Sequence, residues 1–69
     1  MNRYQINERN IVSVGYDEVN KILEIEFKLQ AIHKYFEVPL DEFVALMKAP
    51  KIETHYFEYV YFKYHYDVS

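Results

Sequence analysis

The sequence predicts a small α+β domain in which an antiparallel sheet packs against one main helix. Three observations carry that reading. Within residues 22–28, Leu23 to Lys28 alternate strictly between apolar and charged side chains, the period of a strand with one wet face. Residues 38–50 repeat their apolar positions at helical spacing between two prolines. The last fifteen residues are dense in aromatic and β-branched side chains, which suit a pleated surface.

Residues 1–10 are polar and weakly patterned, so they read as a loose N-terminal lead-in with Tyr4 and Ile6 docking. Residues 11–69 form a single domain. Ile11–Tyr16 is the first strand, with Val12, Val14 and Tyr16 sharing a face. Asp17–Lys21 follows as a turn, because Asp and Asn side chains bond the nearby backbone. In Ile22–Lys28, Leu23, Ile25 and Phe27 face one way and Glu24, Glu26 and Lys28 the other. Ile32–Phe36 is the third strand of the meander. A three-residue loop over 29–31 pairs Glu26 with Lys34, matching opposite charges across the strands. A two-residue loop instead pairs Lys34 with Ile25, on the opposite face.

The main helix spans about 39–49. Pro39 fits a first helical position, Asp41 and Glu42 complement the positive end of the dipole, and Lys48 and Pro50 mark the end. Leu40, Phe43, Val44 and Met47 form the predicted sheet-facing stripe. The tail supports two readings over 54–62. Val60, Phe62, Tyr64, Tyr66 and Val68 alternate as a C-terminal strand from about residue 60, whereas Phe57, Val60, Tyr61 and Tyr64 fit helical spacing. A short helical turn over roughly 52–59 precedes the strand in the favoured version.

A chain of 69 residues buries only about 60% of the surface its unfolded form exposes. It has no cysteine, so no disulfide and no Cys-based zinc site contributes. Eight tyrosines and five phenylalanines supply core volume instead, each burying roughly 150–250 Å². The formal charge of −3 argues against a generic polyanion binder without excluding a local basic patch. The start carries no signal-peptide pattern, and no segment approaches the ~20 apolar residues of a membrane span. The expected compartment is the cytoplasm, with no membrane partner.

From Asn10 onward the chain carries, in order, Ile11 with Val14-Gly15-Tyr16-Asp17, Leu23-Glu24-Ile25-Glu26-Phe27, Tyr35-Phe36, Val38-Pro39, the apolar helix to Ala49, and Tyr56-Phe57 before a tyrosine-rich end. In that order and spacing it resembles the KTSC domain. There are departures. Where the family carries Tyr-x-Tyr this chain has His33-Lys34-Tyr35. Gln30 stands at an expected turn glycine, and Ile52-Glu53-Thr54 replaces a Ser-Lys-Gly stretch. The resemblance implies a compact sheet with a packed helix. It also suggests RNA as a partner, since such domains occur at the end of some lysyl-tRNA synthetases.

The residues point to binding rather than catalysis. His55 and His65 would sit ~33 Å apart in one straight strand, and no His-x-x-x-His spacing supports zinc. Glu24 and Glu26 share a face with lysines, as on a solvated strand. Ser13 has no elbow motif, and the single glycine, Gly15, cannot make a Gly-rich phosphate loop. No catalytic residue, metal or cofactor is therefore expected. What stands out is the aromatic excess. Exposed tyrosines beside lysines can stack bases, and the candidate surface is His33, Lys34, Tyr35, Tyr59, Tyr61, Lys63 and Tyr64, with Lys28 as a further phosphate contact. RNA or a nucleotide is the first partner class. The alternative is a protein-interaction or self-associating domain using the Tyr/Phe-rich C-terminal segment, since interfaces also favour these residues.

Overall fold

The computed structural model describes residues 1–29 and 31–68. Its elements run β1 (Asn2–Gln5), β2 (Ile11–Asp17), β3 (Ile22–Phe27), β4 (Ile32–Tyr35), α1 (Leu40–Lys48), α2 (Ile52–Tyr59) and β5 (Tyr66–Val68). The five strands form one antiparallel sheet in the order β1-β2-β3-β4-β5. Both helices lie on one face, so the class is the predicted α+β with a meander. The details differ in five places, each for a physical reason.

First, residues 2–5 are an edge strand rather than a loose lead-in, paired with β2 from Asn2↔Tyr16 to Gln5↔Ser13. All four residues are exposed, so backbone pairing and not a hydrophobic pattern holds them. Tyr4 does dock, 6.1 Å from Phe43 between ring centroids. Second, β2 carries a bulge between Ile11 and Ser13. One extra residue there turns Ile11 onto the same face as Val14 and Tyr16; Ile11 is fully buried while Val12 is only half-buried.

Third, the β3–β4 register pairs Lys34 with Glu24, and Glu26 with Ile32. The Phe27 N–H donates to the Ala31 carbonyl, so the hairpin turns one residue earlier than the charge match suggested. The shift is two residues, which preserves the faces. Glu24 collects both cations of its row, Arg3 Nη1 at 3.1 Å and Lys34 Nζ at 3.9 Å. Gly15 lies under that row, and a side chain there would collide with the Arg3 guanidinium. The Gln30 substitution lies outside the described residues.

Fourth, Pro39 is the N-cap of α1 and the helix turns a different edge inward. Leu46 is its one fully buried residue, Phe43 stacks on Tyr16 at 4.6 Å, and Leu40 and Val44 are exposed. The Tyr16 hydroxyl donates to the Val38 carbonyl at 2.5 Å, anchoring the entry to the helix on the sheet. Fifth, the helical turn expected over roughly 52–59 is a full helix, α2, at those bounds, and the C-terminal strand is delayed from about residue 60 to residue 66. Val60 ends the helix in the core, and Phe62 is 89% exposed, so the alternation over 60–64 does not describe a strand. Helical spacing prevails because Ile52, Tyr56 and Val60 fall at i, i+4 and i+8 and all three are buried.

No side chain in its own segment caps α2. Its first amide groups are met from the other end of the chain. The Glu8 carboxylate accepts from the N–H of Ile52 and of Glu53, both at 2.8 Å. This satisfies two orphan donors with a negative charge at the positive helix end. Glu8→Ala is expected to destabilise the domain by about 1–2 kcal/mol, read as a lower urea midpoint. A loss much below that range would show that water replaces the carboxylate without cost.

Candidate functional site

On the helix-bearing side, the β3–β4 hairpin and α2 enclose an open cleft of about 440 Å³. Phe27 and His33 come from the strands, Tyr56 and Phe57 from α2, and Tyr61 from the turn beyond it; Asn10, Lys28, Leu29, Ala31 and Glu53 complete the wall. Half of the lining is aromatic, counting His33: Phe27 and His33 lie on the inward face of β3 and β4, and Tyr56, Phe57 and Tyr61 come from α2 and the turn beyond it. Phe27 meets His33 edge-on at 4.8 Å and Tyr56 at 5.6 Å. Phe57 meets Tyr61 edge-on at 5.8 Å.

Behind this wall lies a polar chain. The hydroxyls of Tyr35 and Tyr56 are hydrogen-bonded to each other, and Tyr35 also lies 3.4 Å from His33 Nδ1. Tyr35 is fully buried and Tyr56 nearly so. Burial pushes both phenols above their ordinary range, and their mutual bond raises Tyr35 further. Burial also holds the His33 imidazole below its usual range.

Of the expected site residues, the structure brings together His33, Tyr35 and Tyr61. Lys34 is on the opposite face of the sheet with Glu24. Tyr59 lies beside His55 at 4.6 Å, in a separate groove with Ala49 and Pro50. Lys63 and Tyr64 are tied to α1: the Lys63 Nζ donates to Glu42 at 3.1 Å and the Tyr64 hydroxyl at 2.9 Å. Burial and the Glu42 bond raise Tyr64, and Glu42 raises Lys63. The seven residues thus do not make one surface. Phe27, Tyr56 and Phe57 were missed as site residues. The one signal for them was Phe57, an aromatic four positions before Tyr61 that leaves Ile52, Tyr56 and Val60 to fill the core face.

Among the described residues no group of three His, Asp or Glu side chains is placed to hold a metal ion. Ser13 is bonded to Glu26 at 2.7 Å on the far face. Among the described residues no helix is long and apolar enough to cross a membrane.

A model of the KTSC domain matches residues 7–64. The chain belongs to that family. This KTSC domain is 35% identical over 56 residues to an uncharacterized protein of Stutzerimonas stutzeri (strain A1501), covering 81% of this chain and 79% of that one. Its fold matches the crystal structure of a KTSC domain protein from Yersinia pestis with a TM-score of 0.91 at 27% identity, over 96% of this chain and 93% of the other. The family match spans the whole cleft wall and Glu8, leaving β1 and β5, the two edges of the sheet, outside it.

The raised phenols make a prediction for this KTSC domain. Tyr16, Tyr35, Tyr56 and Tyr64 all hold their protons more tightly folded than unfolded. The unfolded chain therefore binds fewer protons above about pH 10, and stability falls as pH rises through that point. Denaturation midpoints at about pH 8 and about pH 11 check this. Equal midpoints would contradict it.

Proposed function

We propose that this KTSC domain is a non-catalytic binding module whose cleft takes one planar base, of RNA or of a free nucleotide, in the cytoplasm. The supporting observation is the concentration of Phe27, Tyr56, Phe57 and Tyr61 around one cleft with Lys28 in its wall. Base–aromatic stacking is worth about 1–3 kcal/mol per base, and Lys28 supplies a phosphate contact. The volume falls within the range of small-molecule sites. Among the described residues that line it there is no serine, threonine or cysteine, and its polar groups suit recognition.

Titration with nucleoside monophosphates and short single-stranded RNA tests the reading, followed by the resonances of the cleft residues. Phe57→Ala is expected to weaken binding about tenfold or more. Lys28→Glu weakens it and flattens its salt dependence, whereas Lys34→Glu on the opposite face leaves it unchanged. Absence of binding, or equal damage from Lys34→Glu, defeats the proposal.

A second reading has its own observation. Phe62 is 89% and Val68 56% exposed, and β5 is a short sheet edge with unpaired backbone groups along one side. These features suit a protein partner or a second copy at the C-terminal segment. Solution mass that rises with protein concentration and is insensitive to salt would favour it.

A further inference from the structure

Glu53 is the one carboxylate among the described residues that line the cleft, and it is held in place before any ligand arrives. Its backbone N–H donates to Glu8, and its Oε2 accepts from Asn10 Nδ2 at 2.5 Å. Asn10 is fixed in turn, since its carbonyl accepts from the Lys28 N–H. The other oxygen is unused. Oε1 accepts no hydrogen bond from the described residues, and it is not sealed from solvent, since the sealed and unpartnered side-chain atoms among them come down to His55 Nε2. Nor does a cation neutralise the group: the ion pairs among the described residues belong to Glu24 and Glu42.

Glu53 and Phe57 stand at i and i+4 of α2, neighbours on one helix face, and both line the cleft. Phe57 is 47% exposed, an open platform for a base, and the edge of a base stacked there meets the carboxylate. A carboxylate only accepts, and each of its oxygens has two lone pairs, so Oε2 can hold Asn10 and still receive a second donor. Two donors side by side therefore match it. Of the four RNA bases guanine alone has that edge, N1–H beside the N2 amino group. Adenine and cytosine put a bare ring nitrogen next to their amino group, and the single ring N–H of uracil's pairing edge lies between two carbonyls. Each of these turns a lone pair toward the carboxylate. A carboxylate among aromatic rings also suits a cation, but Lys28 in the same wall opposes one and favours the phosphate that a nucleotide carries.

We infer that Glu53, positioned by Asn10, selects guanine among the bases. The inference rests on the cleft's being a base site and narrows its ligand class to guanine nucleotides or guanine-bearing single-stranded RNA. A site that supplies a fixed partner for a ligand's N–H discriminates strongly against the analogue that lacks it, because the site's own polar group is then left unpaired.

Guanosine, inosine, adenosine and uridine monophosphates are the probes, followed by the ring shifts of Phe57 and the side-chain amide of Asn10. All four carry the same phosphate, so its attraction to Lys28 and its repulsion from Glu53 cancel in the ratios. Inosine differs from guanosine only in lacking the N2 amino group. Guanosine monophosphate is expected to bind about tenfold more tightly than inosine monophosphate, with the adenosine and uridine compounds weaker again. In Glu53→Gln the guanosine compound loses about tenfold while the adenosine compound keeps its affinity. A short uridine-rich RNA with one guanine separates the sources: binding tighter than that of guanosine monophosphate assigns the base to RNA, and weaker binding assigns it to a free nucleotide. Equal affinity for the guanosine and inosine compounds, or a guanine preference that survives Glu53→Gln, overturns the inference and leaves the cleft as a base site. If no nucleotide and no RNA shifts Phe57, the inference and the cleft reading fall together. The wild-type ratios decide the matter even if the variant does not fold.

Discussion

Leu46→Ala is expected to remove about 2–5 kcal/mol of stability. For a domain of 69 residues total stability is roughly 3–10 kcal/mol, so the variant is close to or past its limit. The size of the effect follows from geometry: Leu46 is the one residue of α1 with no exposed surface, while Phe43 and Met47 pack against the same core only partly buried. Leu40→Ala is the control. Leu40 lies in the stripe that helical spacing selects, yet it is 44% exposed, and its loss is expected to cost under about 1 kcal/mol. Urea unfolding of both variants, followed by circular dichroism, separates them. Similar midpoints would mean that α1 faces the sheet through a different edge.

Tyr35→Phe and Tyr56→Phe are each expected to cost about 1–3 kcal/mol, since each leaves the other hydroxyl buried without its partner. The double variant is expected to cost less than the sum by about 0.5–3 kcal/mol, because no stranded hydroxyl remains. Tyr56→Phe is the milder single change. In it the Tyr35 hydroxyl keeps a long contact, 3.4 Å, to His33. Additive losses in the thermodynamic cycle would show that the two hydroxyls are satisfied independently.

Much of the fold is legible in the residues because apolar periodicity is a direct image of burial. The alternation in 22–28 gives β3 and its faces without ambiguity, and the prolines bracket α1. Three features were not legible, each because a distant group decides it. The bulge at Val12 depends on how β2 meets β3, not on any local signal. β1 has no hydrophobic pattern at all and is held by backbone pairing with β2. The helical turn expected over roughly 52–59 is α2 at those bounds, but the group that caps it, Glu8, stands more than forty residues away and no local signal points to it.

The candidate site divides in the same way. His33, Tyr35 and Tyr61 were singled out by residue type, and the fold gathers them. Lys34, Tyr59, Lys63 and Tyr64 are of the same types, but strand parity and helix phase send them elsewhere. Lys34 differs from its neighbours by a single position, and in a strand that is a change of face. An error of two residues in hairpin register was harmless to the faces but changed the ion-pair partner. Residue type nominates such a site; period and register decide which nominees share it.

The strictly sequential strand order has a consequence for how the chain assembles. Three of the four strand pairings, β1–β2, β2–β3 and β3–β4, join neighbours across short turns, contacts with little loop entropy to overcome. The fourth, β4–β5, must wait until both helices have been laid down between its partners. A chain emerging N-terminus first can therefore complete four-fifths of its sheet before α2 exists. Glu8 then stands ready at the place where that helix has to begin.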